Sequence, residues 1–188
     1  MAVSKKLKLD KSGSIDIKPD SYIGLLLSVI HVGSQSNTYL GVTSIVDQLA
    51  LRFELQDVLT DKGTPVVVTK VMRNSMKSKA SLVSFGAAIG ADLEEGIDFE
   101  SLVGKPVLVD MGYNEAKTKV SVKGFHKLSS RDRAAVKPLM GTPTVHLDVE
   151  EMSAAQIKEL PEWLQKVISS RIKGDGEQTD SSSSGVEL

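Results

Sequence analysis

The clearest alternation of apolar and polar side chains lies between Ile45 and Leu55. Ile45, Leu49, Leu51, Phe53 and Leu55 fall on one face of an extended chain; Gln48, Ala50, Arg52 and Glu54 fall on the other, and Asp47 is out of phase. This pattern predicts a strand with one buried face. The run from Tyr22 to Val32 is apolar on both faces and predicts a central strand covered on both sides. Between the two, Gly33-Ser34-Gln35-Ser36-Asn37 reads as a turn, with Tyr39 in the loop joining the strands. Asp61-Lys62-Gly63 predicts a hairpin turn, and Pro65 to Met72 a third strand rich in valine.

The period then changes. Leu82, Val83, Phe85, Ala88 and Ile89 recur at helical spacing from Lys79 to Ile89, with Ser75 and Ser78 placed to cap the start and Gly90 the end. A helical turn is expected over Phe99 to Val103, stopping at Gly104. Strands are expected over Pro106 to Tyr113 and Thr118 to Leu128, with Asn114 to Lys117 turning the chain. Three strands, a helix and two strands is the order of a five-stranded OB-fold, a Greek-key barrel. The reading is mainly β with added helices: an arm over 1–20, partly mobile, the barrel over 21–128, and a helical extension over 129–173. In that extension Ser129 to Met140 reads as helical and Pro143 to Val149 as an extended connector. Ser153 opens a helix through Leu160, and Pro161 begins another at a position that tolerates proline. The last carries an apolar stripe of Trp163, Leu164, Val167, Ile168 and Ile172. Phe53, Phe85 and Trp163 are expected in the core. Residues 174–188, with Ser181 to Ser184 in a row, have little to bury and are expected to be disordered.

Composition narrows the chemistry. The 188 residues are 40% hydrophobic and 25% charged, with no cysteine. That excludes a disulfide framework, a thiolate nucleophile and a cysteine-based zinc site, and fits a reducing cytoplasm. No apolar run reaches the ~18 residues of a membrane-spanning helix, so neither membrane insertion nor secretion is expected. His31, His126 and His146 lie far apart and outside any metal-ligand spacing. Gly104-Lys105 lacks the upstream glycine of a phosphate loop and has Pro106 where Ser or Thr is needed. Asp92, Glu94, Glu95, Asp98 and Glu100 lack EF-hand spacing, and a solvated connector explains them as well. The expectation is a protein with no catalytic residues, no metal and no cofactor, and not an enzyme.

The net charge is −1, but its distribution is uneven. Between 105 and 137, Lys105, Lys117, Lys119, Lys123, Lys127, Arg131, Arg133 and Lys137 face only Asp110, Glu115 and Asp132. The tail has Asp175, Glu177, Asp180 and Glu187 and no base. Partner choice follows such patches. By strict period 2, Lys117, Lys119, Ser121, Lys123, Phe125 and Lys127 share one face of the fifth strand. Lysines with an aromatic among them match the phosphate and base chemistry of single-strand binders, although a lysine-rich edge also guards against aggregation. Arg52, Lys70, Arg73, Lys77, Lys105 and Tyr39 complete the candidate nucleic-acid-binding set.

Several segments resemble a family of phage-encoded OB-fold proteins that bind single-stranded DNA. They are Tyr22-Ile23-Gly24, Arg52-Phe53-Glu54-Leu55, Gly63-Thr64-Pro65-Val66-Val67-Val68, Ser75 to Leu82, and Phe99 to Val107, together spanning roughly residues 20–128. The resemblance implies a DNA replication or recombination role in the cytoplasm of an infected bacterium, with low sequence specificity and no catalytic residues. The acidic tail resembles those that recruit replication or recombination partners, but Gly185-Val186-Glu187-Leu188 lacks the dense acidic run and terminal aromatic. Two alternative functions stay open: an OB-fold adaptor or structural protein binding another protein through its C-terminal helices, and, ranked below it, a metal-dependent enzyme using the carboxylate cluster. Self-association into a homo-oligomer is open under each reading.

Overall fold

In a computed structural model, residues 5–6, 17–146 and 148–172 are described. The tail at 174–188 and most of the arm therefore lie outside the described residues. The elements are β1 (Lys5–Lys6), β2 (Asp20–Tyr39), β3 (Val42–Leu59), β4 (Pro65–Arg73), α1 (Ser81–Ile89), α2 (Phe99–Leu102), β5 (Pro106–Tyr113), β6 (Val120–His126), α3 (Ser130–Ala134), β7 (Thr144–His146), a 3-10 turn (Val149–Glu151), α4 (Ala154–Lys158) and α5 (Glu162–Ser169). The protein is mainly β with added helices. No described helix is long and apolar enough to cross a membrane.

Five antiparallel strands follow the path β4-β3-β2-β5-β6, while β1 and β7 add short parallel pairings to β3 and β2. A helix stands between the third and fourth long strands, as the periodicity predicts. Among the described residues no ladder joins β4 to β6, so the hydrogen-bonded sheet is open there. The inner face still forms one core. Leu26, Val29, Leu51, Phe53, Val68, Val109, Met111 and Val122 meet Leu82, Phe85 and Ile89 of α1. Gly24 makes close strand packing possible, because a Cβ there would sit 2.6 Å from Val109 Cγ2.

The first two long strands depart from the sequence reading. The expected turn at Gly33–Asn37 is strand: β2 runs through to Tyr39, which pairs with Val42 rather than lying in a loop, and Leu40-Gly41 makes the turn. Leu40 and Gly41 have φ of 49° and 78°, the positive pair that a two-residue hairpin turn needs. Bulges at Leu26/Ser28 and His31/Gly33 switch the phase of β2. In consequence Leu26 and Val29 reach the inner core, whereas Ile30 and Val32 face outward.

That outward face is covered. Ile30, Val32 and Ala50 pack under Val149, Met152, Leu160, Leu164 and Ile168 as a second core. Expected to be half-buried, β3 is thus buried on both faces at its centre, while Ile45 at its distal end is 68% exposed. Glu54, 2% exposed, accepts the Met140 and Gly141 N–H groups at 2.9 and 2.8 Å and ties the connector to the sheet. The extension is less helical than expected. Within Ser129–Met140 only Ser130–Ala134 is helix, and β7 forms inside the predicted connector by pairing with Ser28–Ile30. Ser153 caps α4 through a capping box with Gln156, as its position predicts. In α1 the cap is Ala80 and no side chain serves, so Ser75 and Ser78 are not caps. Trp163, expected in the core, is 47% exposed; Leu164 and Ile168 carry the contact of α5.

Candidate nucleic-acid interface

The turn between β5 and β6 presents two candidate cations, Lys117 and Lys119, on a backbone held in a defined geometry. Asn114 organises it: its Oδ1 accepts Thr118 N–H at 2.8 Å and Lys119 N–H at 3.2 Å, and its carbonyl accepts Lys117 N–H at 2.9 Å. Lys117 takes a left-handed φ of 53°, a strained choice for a lysine that the Asn114 network holds in place. Lys117 and Lys119 are exposed at this turn. Tyr113, at the end of β5 opposite Val120, is 53% exposed beside them.

Further along β6, Lys123 lies over Gly112, where a Cβ would come within 2.9 Å of its Cγ. Lys70 reaches across the opening between β4 and β6 and donates from Nζ to the Val122 carbonyl at 3.0 Å. Lys70 stands opposite Leu51, so its stem shares the inner phase of β4 with Val68 and Met72. Burial pushes its ammonium below the usual lysine range, and the nearby Lys123 charge pushes the same way. Among the described residues no carboxylate pairs with Lys70 or Lys123.

The strict alternation expected for β6 fails at one point. A bulge opposite Asp110/Met111 resets the phase, so Val122 and Phe125 both face inward. Phe125 packs with Phe53 and Phe85 at centroid distances of 5.0 and 5.1 Å, on the opposite side from Lys119 and Ser121. It does not share the lysine face. On the outer side, His126 Nε2 lies 2.6 Å from Asp110 Oδ2.

The remaining candidates are dispersed. Arg52 sits on the face covered by the C-terminal helices. Burial lowers its pKa, Glu159 partly opposes that, and its buried Nε has no hydrogen-bond partner. Arg73 and Lys77 are exposed at and beyond the end of β4, and Lys105 is exposed just before β5. Lys127 shares an open cleft with Leu128, Ser130 and Arg133. Tyr39 ends β2, and its side chain is outside the described set. Tyr113 is absent from the candidate set drawn from the sequence; the turn chemistry of Asn114 is the signal that its neighbour stands at a rim. The acidic segment serves local structure: Asp98 caps α2, and Asp92 accepts Glu94 N–H.

No protein-family model matches the chain, and no curated protein matches it either.

Proposed function

We propose that the protein binds single-stranded DNA along β6 and the β5–β6 turn, across the opening between β4 and β6. The strand path and the position of α1 match a five-stranded OB-fold whose closing pair would be β4 with β6, and we read the fold so. One observation carries the site. Lys70 and Lys123 lie together at that opening, one of them half-buried, with no carboxylate pairing either among the described residues. A phosphate between them would relieve their mutual repulsion. Lys117 and Lys119 extend the cationic path, and Tyr113 offers one ring for stacking. Contacts of this kind read the backbone and not the base edges, hence low sequence preference. A role in replication or recombination, and a phage source, follow only from the resemblance.

The outer face of the second and third long strands, β3 and β4, is where OB-folds often bind oligonucleotides; here the chain's own extension packs on that face at Ala50 and Val71. The same packing counts against an adaptor working through those helices, since Leu164 and Ile168 are spent inside the molecule.

A labelled oligothymidylate titrated at several salt concentrations tests the proposal. The log affinity should fall against log salt by about 0.7 per phosphate neutralised. Lys70→Ala with Lys123→Ala should flatten that slope, and Lys105→Ala should change it less. Affinity independent of salt, or unchanged in the double variant, sinks the site.

A further inference from the structure

The distal part of the β2–β3 hairpin is thinly covered, with Ser36 to Thr38 and Leu40 to Ile45 all exposed. From Gly33 to Val46 the chain runs without a single charged residue. Its two strands pair with each other to the Leu40-Gly41 turn, and the Thr38 and Thr43 hydroxyls lie 2.9 Å apart across them. On the β2 side, the Ser34 carbonyl accepts Ile172 N–H at 2.8 Å. On the β3 side, β4 pairing starts at Gln48, and the Asp47 carbonyl accepts Asn74 N–H at 2.8 Å. Between these anchors and the turn, no described strand pairs with the outer edge of Val42–Val46. Leu40 is 85% exposed, Val42 69% and Ile45 68%.

A two-stranded ribbon is marginal in water, and a bare edge is normally guarded by lysine, proline or an inward charge. This edge has none of these. Nucleic acid would need cations on the ribbon, and a charged peptide would need a countercharge; neither is there. The surface that meets it without an unpaired charge is an identical, uncharged strand. We propose that Val42–Val46 is a self-association edge, at which two copies of the chain pair antiparallel about a two-fold axis at Ser44. Ser44 then stands opposite its own copy, Val42 opposite Val46 and Thr43 opposite Ile45. The two ribbons become one four-stranded sheet with an isologous interface. So short a seam gives a reversible dimer. The inference is independent of DNA binding, and its test uses protein alone.

The chain has no cysteine, so Ser44→Cys introduces a unique thiol at the axis. Directly opposed residues place their Cβ atoms about 4.5–5.5 Å apart, near enough for a disulfide to close with slight adjustment. Mild oxidation should link Ser44→Cys chains into dimers, whereas Asn37→Cys, on the far strand, should stay largely unlinked. Sedimentation of the unaltered protein should show dimer rising with concentration. The pair Val42→Lys and Ile45→Lys, both at exposed positions, should weaken association by about tenfold or more, with an unchanged melting temperature at protein concentrations where both chains are monomeric. A protein that stays monomeric at every concentration overturns the proposal. Faster linking of Asn37→Cys than of Ser44→Cys overturns it too, by assigning the contact to the other edge. Adsorption of the ribbon to neutral phosphatidylcholine vesicles without any dimer would assign it to lipid.

Discussion

Phe125 and Lys70 divide the work at the β4–β6 opening, one holding the core and the other the rim. Phe125 completes an aromatic trio with Phe53 and Phe85, whose rings meet each other edge-on at 5.8 Å. Phe125→Ala should therefore destabilise the fold by about 3 kcal/mol, as core Phe truncations do. Oligonucleotide affinity of the folded fraction should stay unchanged; a melt compared with a titration separates the two effects. Lys70 has a pKa lowered from 10.5. Between that lowered value and 10.5 the unfolded chain holds the proton more than the folded one does. Stability from this group therefore rises as pH climbs through that window, opposite to a lysine held in an ion pair. Denaturant melts of the unaltered protein and Lys70→Met at successive pH values should show the increment in the first and not in the second.

At the scale of elements, bulges and one buried carboxylate decide what faces what. Glu54 joins β3 to the chain ahead of β7, and Glu54→Ala would leave the Met140 and Gly141 N–H groups without their acceptor. Each costs about 1–3 kcal/mol if it stays buried, so amide exchange should accelerate over 138–146 before it does over β5. The sequence made the elements themselves legible. Four valines between a turn and Met72 gave β4, and Pro106 to Tyr113 gave β5 with both ends right. Gly90 marked the end of α1, where its φ of 83° is the left-handed stop that glycine permits. What could not be read was phase. A bulge adds one residue and moves all later side chains to the other face, with no compositional mark of its own. Phe125 was misplaced for that reason, and so was the split of Leu26 from Ile30 between two cores. The polar residues Ser34 to Asn37 resembled a turn because a strand stabilised mainly by its partner needs little apolar content. Of the site, the lysines were visible as a local excess of charge, but the meeting of Lys70 with Lys123 needed two strands distant in sequence.

The whole molecule is built on β2 and β3, which serve both cores. Leu164 is fully buried in the second core, and Leu164→Ala should cost about 2–5 kcal/mol. Because the two cores share strands, calorimetry should show one transition moved to lower temperature; two separate transitions would mean that the extension melts alone. The pairing of Ser28–Ile30 with Thr144–His146 also sets a timetable for the nascent chain. These partners leave the ribosome over a hundred residues apart, which at about 5–20 residues per second is a delay on the order of ten seconds. Through that interval Ile30 and Val32 wait without the α5 side chains that later cover them. Chains stalled at Gly141 should therefore crosslink to chaperones that bind apolar segments, and completed chains should be released. The protein's need for folding assistance would thus be set by how slowly residues 142–168, which supply that cover, are made.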